Sequence, residues 1–208
     1  MRPGPVAVPA ARRTQKERRE GTIRKLLDAA TETLIDVGYA EASVQQICDR
    51  ADVSQGALFR HFATREELMV AVGADVGARI LHQFRRKFAA AKKRESDVEA
   101  ALRLVREACR SRLNTAWYEL ELAARTNDAL RHALEPVLRR YFADITGLAR
   151  ELLPGVAARL GSSFDMLVTS VIMMFDGETT HRFLVDDAAA EDARLAALVR
   201  ALQTFTRT

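Results

Sequence analysis

The part of the sequence best suited to contact a partner is residues 43–62, SVQQICDRADVSQGALFRHF. The spacing of its apolar residues predicts two helices of about two turns each, joined by a tight turn. The apolar side chains that would hold the two helices together are Ile47, Ala51, Val53, Leu58 and Phe62. The residues that then fall on the open side of the second helix are Gln55, Gly56, Phe59 and Arg60, flanked by Ala57 and His61.

This arrangement suits hydrogen bonding to the base edges and phosphates of double-stranded DNA. A recognition helix has to enter a major groove about 12 Å wide and lie close to the base edges. Gly56 and Ala57 are small enough to permit that approach, and the amide of Gln55 can read adenine. Ser43 and Ser54, with the backbone N–H groups at the two helix starts, can hold phosphates. The alternative is a purely structural helical hairpin in which Gly56 has no special role.

Positive charge is concentrated at the N-terminus. The first 25 residues contain eight Lys and Arg against two Glu, whereas residues 26–72 contain three basic and eight acidic side chains. A basic arm beside a folded domain favours contact with a nucleic acid. A solvated tail without a partner is an equally good interpretation of the same residues.

The composition predicts an all-α protein. The chain has 208 residues, 48% of them hydrophobic and 29% charged, and helix formers dominate over the 10 Gly and 5 Pro. Residues 1–15 include three of the prolines and are expected to be disordered. Helical periodicity begins near Thr22.

Local signals mark the ends of the first helices. Gly38 is expected to end the first helix in a left-handed conformation. The pairs that fit a capping box, and so open a helix, are Ser43 with Gln46 and Thr64 with Glu67. The fourth helix is expected to bend or break between Gly73 and Gly77.

The sequence also bears on the redox state of the cysteines and on the location of the protein in the cell. Cys48 and Cys109 lie far apart and lack the spacing of a metal site, so we expect two reduced, buried thiols and no cofactor. The sequence has no run of 18 or more apolar residues and no apolar signal core at its start. We therefore expect a soluble, cytoplasmic protein without a membrane partner.

The stretch LLDAATETLIDVGYAEASVQQICDRADVSQGALFRHFATREELMVAV resembles the N-terminal DNA-binding domain of the TetR family of bacterial repressors. The features that match the family at fixed spacing are Ala29-Ala30, Gly38-Tyr39, Ser43-Val44, Ile47, Ala51, Val53-Ser54, Gly56, Leu58, His61-Phe62 and Glu66-Glu67-Leu68. The resemblance covers roughly a quarter of the chain. It implies that the candidate DNA contacts are Ser43, Gln45, Ser54, Gln55, Gly56, Ala57, Phe59, Arg60, His61 and Arg65.

The sequence departs from the family pattern at several positions. Asp52 stands where the family has glycine in the turn, and Asp tolerates left-handed geometry better than most residues. Phe59 replaces a tyrosine whose hydroxyl would contact a phosphate, so only apolar contact is left to it. Arg65 replaces a lysine and keeps the charge, while Cys48 replaces an alanine.

The resemblance implies three parts: a disordered basic arm over residues 1–15, a three-helix helix-turn-helix DNA-binding domain over 16–72, and a helical ligand-binding and dimerisation domain over 73–208. Apolar stripes on the last two helices favour a four-helix dimer interface, although ordinary core packing is the alternative. The residues of this predicted interface are Phe164, Leu167, Val168, Val171, Ile172, Phe175, Leu195, Leu198, Val199 and Leu202.

A ligand pocket is harder to locate, because aromatic and methionine side chains at helical spacing are more often core. The candidates that would line it are Phe88, Trp117, Tyr118, Glu121, Phe142, Met173, Asp176 and His181. Glu178 and His181 have the i, i+3 spacing of metal-binding bundles, but the chain has no second E-x-x-H. We therefore expect polar packing or a polar contact there, and no metal.

Together these patterns predict a ligand-responsive repressor that binds a near-palindromic operator as a homodimer and is released by a small-molecule effector. The fourth helix, opened by Thr64, would transmit the change between the two domains. The alternatives are a helical enzyme and an adaptor that keeps the hairpin as a scaffold. The sequence lacks the G-x-S-x-G, P-loop, Rossmann and H-E-x-x-H motifs, so we predict that the protein is not an enzyme.

Overall fold

A computed structural model describes residues 14–91 and 96–204 of the chain. These residues form ten α-helices and one short 3₁₀ turn, without a strand among them. The helices are α1 (Gln15–Glu41), α2 (Val44–Ala51), α3 (Gln55–His61), α4 (Arg65–Ala91), α5 (Asp97–Cys109), α6 (Arg112–Ala124), α7 (Asp128–Leu152), α8 (Pro154–Leu160), α9 (Phe164–Arg182) and α10 (Ala188–Gln203). The prediction of an all-α protein is confirmed. Most of the predicted arm lies outside the described residues.

Helix α1 begins about two turns earlier than its apolar periodicity indicates. The Thr14 side chain accepts from the Glu17 N–H at 3.2 Å, and the Glu17 carboxylate accepts from the Thr14 N–H at 2.7 Å. This capping box stabilises the start of a helix whose first two turns bury no apolar face. Near the other end, Gly38 has φ 75° and ψ 171°, a conformation that kinks the helix before it ends at Glu41.

The short helices α2 and α3 begin and end where their caps predict. Ser43 and Gln46 form the predicted capping box of α2. Asp52 ends α2 with φ 53° and ψ 52°, which confirms the left-handed geometry expected at this position. Ser54 then caps α3 by accepting from the Ala57 N–H at 3.2 Å. Because the capping groups lie within a few residues of each helix start, the starts of both helices are fixed by local hydrogen bonds.

Helix α4 runs without interruption from Arg65 to Ala91, so the break expected at its two glycines is wrong. A Cβ atom at Gly73 would lie 3.1 Å from Trp117 Cζ3, and one at Gly77 would lie 2.9 Å from Tyr141 Cδ2. The two glycines therefore allow the aromatic rings of α6 and α7 to pack directly against the α4 backbone.

The main hydrophobic core joins the first four helices to α6 and α7. Its largest fully buried members include Leu26, Ile47, Leu58, Leu68 and Leu120. The boundary predicted between residues 72 and 73 therefore passes through the continuous helix α4 and through one shared core. That residues 16–72 bind DNA and residues 73–208 bind a ligand and dimerise stays a prediction.

A second core cluster brings together α5 and the helices from α8 to α10. The stretch Pro154–Arg182 is long and apolar enough to cross a membrane by length and composition alone, yet only 17% of its most apolar window is buried. The large apolar side chains that α9 leaves exposed are Met166, Met173 and Met174. The outer face of α9 is therefore an uncovered apolar surface of the single chain.

Candidate nucleic-acid interface and adjoining cavity

The open side of α3 consists of exposed side chains, as the sequence predicts. Leu58 is fully buried beneath this helix and Phe62 is nearly so, whereas Phe59 is 45% exposed. Gln55 and Arg60 are also exposed. A Cβ atom at Gly56 would meet no atom of the protein within 4 Å, and the φ of Gly56 is not positive. Nothing in the described part of the chain therefore requires glycine at this position, in contrast to Gly38.

The glutamines of α2 and α3 hold one another across the turn. The Gln55 amide donates to the Gln45 side-chain oxygen at 2.5 Å, and the Gln45 amide donates to Asp49 at 2.6 Å. All three side chains are exposed. Ser43 and Ser54 lie at the starts of the two helices, also exposed. The arrangement presents side-chain amides and two helix starts on one accessible side of the helical pair.

Three further predicted DNA contacts are less accessible. Ala57 and His61 are half-buried at the edges of α3. The Arg65 guanidinium donates to the carbonyl oxygens of Ala42 and Tyr39 and lies 4.1 Å from the centre of the Tyr39 ring. Arg65 thus fastens the start of α4 to the turn between α1 and α2, a structural role that the sequence pattern does not reveal.

Helix α6 contacts the end of α1 directly. The Glu119 carboxylate accepts from the Tyr39 N–H at 3.1 Å, and a Cβ atom at Gly38 would lie 2.9 Å from that same carboxylate. The positive φ favours glycine at position 38, and the absence of a side chain there leaves room for the Glu119 carboxylate. Arg112, at the start of α6, donates to Glu32 at 2.6 Å and to Asp36 at 3.0 Å. The helical pair that carries the open α3 face is therefore tied to α6.

An apolar cavity that opens to solvent lies beside α6. Aliphatic and aromatic side chains from α4 through α10 make up most of its wall. An apolar and aromatic lining with a few polar side chains is typical of a small-molecule site. The cavity and the α1 contact share α6, because Trp117 and Glu121 line the cavity while Glu119 contacts α1.

The structure brings together half of the predicted ligand-binding residues. Those that line the cavity are Trp117, Glu121, Phe142 and Asp176. Tyr118 lies just behind the wall, where its hydroxyl donates to Asp176 at 2.6 Å. Phe88 belongs instead to a small separate core with Ala100 and Leu104. Met173 and His181 are exposed and do not line the cavity. The periodicity of α9 shows that its faces differ, but it does not show which face turns inward.

The predicted dimer stripe is also placed inside the chain. Phe164, Val171 and Phe175 are buried in the second core cluster, and Ile172 is buried where it lines the cavity. The remaining members are partly buried against the same cluster: Leu167, Val168, Leu195, Leu198, Val199 and Leu202. Several of these side chains form the cavity wall. The stripe faces inward because α5 packs against both α9 and α10, and sequence reasoning missed this lining function.

The pKa values of three ionisable groups in or beside the cavity wall are raised. Protein atoms crowd the Glu121 carboxyl although part of the residue stays exposed, and this desolvation raises its pKa despite the hydrogen bond from Trp117 Nε1 at 2.8 Å. Burial and the neighbouring Asp176 raise the pKa of the Cys109 thiol and of the Tyr118 hydroxyl. Desolvation is the largest cause in each case, so the surroundings of these groups disfavour a negative charge on them.

Glu178 belongs to a separate ion-pair cluster. Its buried carboxylate accepts from Arg110 and, at 3.1 Å, from Arg194. The equally buried Glu191 accepts from Arg110 at 2.8 Å. His181 is exposed, so the i, i+3 pair of the sequence is not brought together as a site. In residues 14–91 and 96–204, no group of three or more His, Cys, Asp or Glu could hold a metal ion.

Comparisons with known proteins agree with this architecture. Residues 26–72 match the family model for bacterial regulatory proteins of the tetR family. An uncharacterised HTH-type transcriptional regulator of Mycobacterium tuberculosis (strain H37Rv) is 38% identical over 190 residues, which cover 91% of this chain and 97% of the relative.

Solved structures show the same fold at lower identity. The transcriptional regulator FadR of Bacillus subtilis, solved with stearoyl-CoA, has a TM-score of 0.61 and 19% identity, covering 85% of this chain and 97% of FadR. The multidrug binding protein EbrR, solved with imidazole, has a TM-score of 0.61 and 22% identity, covering 88% of this chain and 93% of EbrR. The close relative along nearly the full length and the matching helix-turn-helix model show that the chain is a transcriptional regulator of the TetR family.

Proposed function

We propose that this regulator is a repressor that binds a near-palindromic operator as a homodimer and leaves it when a small molecule occupies the cavity. The observation that carries the proposal is the position of α6. One part of this helix lines the cavity through Trp117 and Glu121, and Glu119 between them holds the Tyr39 N–H. The two solved neighbours that contain stearoyl-CoA and imidazole support a ligand-binding role for this fold.

DNA recognition is assigned to the open side of α3. Gln55 would read a base edge through its amide, and Arg60 would contact the backbone or a base. The exposed Phe59 ring would contact a thymine methyl group, since it lacks a hydroxyl for a phosphate. The absence of a packing requirement at Gly56 supports clearance for DNA as the reason for its small size. Ser43, Gln45 and Ser54 would complete the contacts, while Arg65 would position the start of α4.

The homodimer is assigned to the outer face of α9. Met166, Met173 and Met174 form an exposed apolar patch there, and such patches mark interaction surfaces. A second copy related by a twofold axis would bury this face. The resulting pair of α3 helices would meet two half-sites about 34–36 Å apart. A cytoplasmic location follows from the role at the bacterial chromosome.

Release is assigned to movement of α6. A ligand beside Trp117 and Glu121 changes the packing of the helix that holds the end of α1. For DNA release, the ligand must bind the arrangement with mismatched α3 spacing more tightly than the DNA-bound arrangement. The fourth helix would follow, because Gly73 and Gly77 lock it against the rings of Trp117 and Tyr141.

A gel-shift titration against the DNA upstream of the protein's own gene tests the proposal. We expect a salt-sensitive, sequence-selective shift that Gln55→Ala weakens at least about tenfold. Gln83→Ala is the matched control, because Gln83 is an exposed glutamine on α4 away from α3. An equal loss in both variants, or a shift insensitive to DNA sequence, would exclude α3 as the reading helix.

A further inference from the structure

We propose that the ligand of the cavity is a lipophilic organic cation, in contact with aromatic rings of the wall and with its positive charge beside Glu121 and Asp176. The inference rests on the proposed function of the cavity as the effector site, and it names the chemical class of the effector. Its basis is the charge of the wall. Among the described residues, Glu121 and Asp176 are the charged groups that line the cavity, and none of the lining residues is basic.

Neither carboxylate is compensated by a cation within the described part of the chain. Glu121 accepts from the indole N–H of Trp117 at 2.8 Å. Asp176 accepts from the hydroxyl of Tyr118 at 2.6 Å, with the Asn114 amide at 3.5 Å. These donors are neutral, so they stabilise the two negative charges without neutralising them.

Where carboxylates of this chain are buried, cations compensate them. Glu178 and Glu191 are each only 4% exposed, and both pair with the Arg110 guanidinium. Arg194 and Arg182 add further pairs at 3.1 and 3.4 Å. Buried carboxylates normally require such compensation. Glu121 is exposed and Asp176 is half-buried, so both can stay ionised without a cation from the chain, and a positive charge on a ligand in the cavity could pair with them.

Aromatic rings stand where they can contact such a cation. Trp117 and Tyr141 lie with their centroids 5.3 Å apart, and Tyr141 and Phe142 lie 6.2 Å apart. All three residues line the cavity. Aromatic faces attract ammonium groups, most strongly where water is excluded. The aliphatic remainder of the wall would bury the apolar body of the ligand, while an anionic ligand would face two like charges.

A set of three probes with one alkyl chain tests the proposal: decyltrimethylammonium, decanol and decanoate, each below its micelle concentration. Trp117 is the single tryptophan of the chain, so its fluorescence reports binding inside the cavity. We expect the cation to bind at least about tenfold more tightly than decanol, and decanoate to bind more weakly than decanol. Tetramethylammonium at the same concentration controls for charge without an apolar body.

The carboxylates are then replaced by their amides. Glu121→Gln combined with Asp176→Asn keeps the shape and the acceptors for Trp117 and Tyr118, and should abolish the preference for the cation while decanol binds as before. Glu135→Gln is the matched control, since Glu135 is an exposed carboxylate on α7 outside the cavity. Melting temperatures of all variants show whether each remains folded.

The outcomes separate this inference from the proposed function. Equal or tighter binding of decanol or decanoate, or a cation preference that survives the double substitution, overturns the inference. DNA release by decanoate but not by the cation overturns the inference and supports effector control. Cation binding without DNA release keeps the ligand class and contradicts release. Failure of all three probes to bind overturns both the ligand class and the effector role of the cavity.

Discussion

The glycine at position 38 determines how closely helix α6 approaches the end of α1. Gly38 combines φ 75° with a Cβ position only 2.9 Å from the Glu119 carboxylate. The next residue, Tyr39, gives its N–H to that carboxylate. A glycine without a side chain therefore permits the hydrogen bond that links α1 to α6. Gly56, in contrast, is free of intramolecular neighbours and faces outward.

At this scale we predict that Gly38→Ala destabilises the protein by about 2 kcal/mol, because the conformation is nearly exclusive to glycine. The substitution also pushes Glu119 away, so the ligand should lose much of its influence on DNA binding. Thermal unfolding and ligand-dependent gel shifts measure the two effects.

Gly21→Ala is the control within the same helix. Gly21 has no neighbour within 4 Å of a Cβ atom, so alanine should raise helix stability by about 0.5–1 kcal/mol. If both substitutions stabilise the protein, or both destabilise it, glycine has no special role at position 38.

Between elements, an ion-pair cluster fixes α1 to α4. Arg24 donates to both carboxylate oxygens of Asp75, at 2.6 and 2.5 Å, and Arg79 contacts Asp28 at 3.0 Å. Burial acts to raise the pKa of Asp75, but the hydrogen bonds and charges of Arg24 and Arg79 outweigh it, so the pKa is lowered. The cluster therefore favours the ionised carboxylate in the folded protein.

At the element scale we predict that Asp75→Asn lowers the free energy of unfolding at pH 7 by about 1–2 kcal/mol. Because the folded pKa lies below the unfolded value, the stabilisation is complete above the ordinary pKa of Asp. It is lost as the pH falls through the folded value. Urea unfolding from pH 7 down to pH 3 should show this acid sensitivity in the wild type and less of it in the variant.

The control for this experiment is Asp144→Asn on α7. Asp144 pairs with the strongly exposed Arg140 along a single helix. Such a pair contributes less than about 0.5 kcal/mol. If Asp144→Asn lowers the free energy of unfolding as much as Asp75→Asn does, the α1–α4 ion pairs stabilise the fold no more than an exposed pair.

A helix boundary can be predicted from the sequence when the residues that fix it are close in sequence, and not when they are distant. The caps at Ser43 and Asp52 are predictable, because the groups that satisfy them lie within a few residues. The glycines of α4 suggest a break only because their partners, Trp117 and Tyr141, are distant in sequence. Likewise, the period of α9 identifies a buried stripe, but it does not say whether α5 or a second chain covers it. The open face of α3 was therefore predictable, and the cavity only in part.

At the scale of the whole molecule, the uncovered face of α9 is the proposed dimer interface. We predict that Met173→Lys converts the dimer to a monomer in light-scattering measurements, because each copy would place a charge in an apolar contact. Operator affinity should fall by more than tenfold, since the two half-sites would then be bound independently.

Leu122→Lys is the matched control. Leu122 is 60% exposed, nearly the same as Met173 at 61%, but it lies on α6. The Leu122 variant should remain dimeric. Loss of the dimer in the Leu122 variant but not in the Met173 variant would move the interface from α9 to α6.

The central claim is that two α3 helices of a dimer read DNA under the control of the cavity. A footprint of the wild-type protein on the upstream region tests it most directly. The account predicts two protected half-sites related by a twofold axis, about 10 base pairs or a multiple of that apart, that lose protection together when a cavity ligand is added. A single protected segment without symmetry, or protection that a ligand bound at Trp117 leaves unchanged, would contradict it.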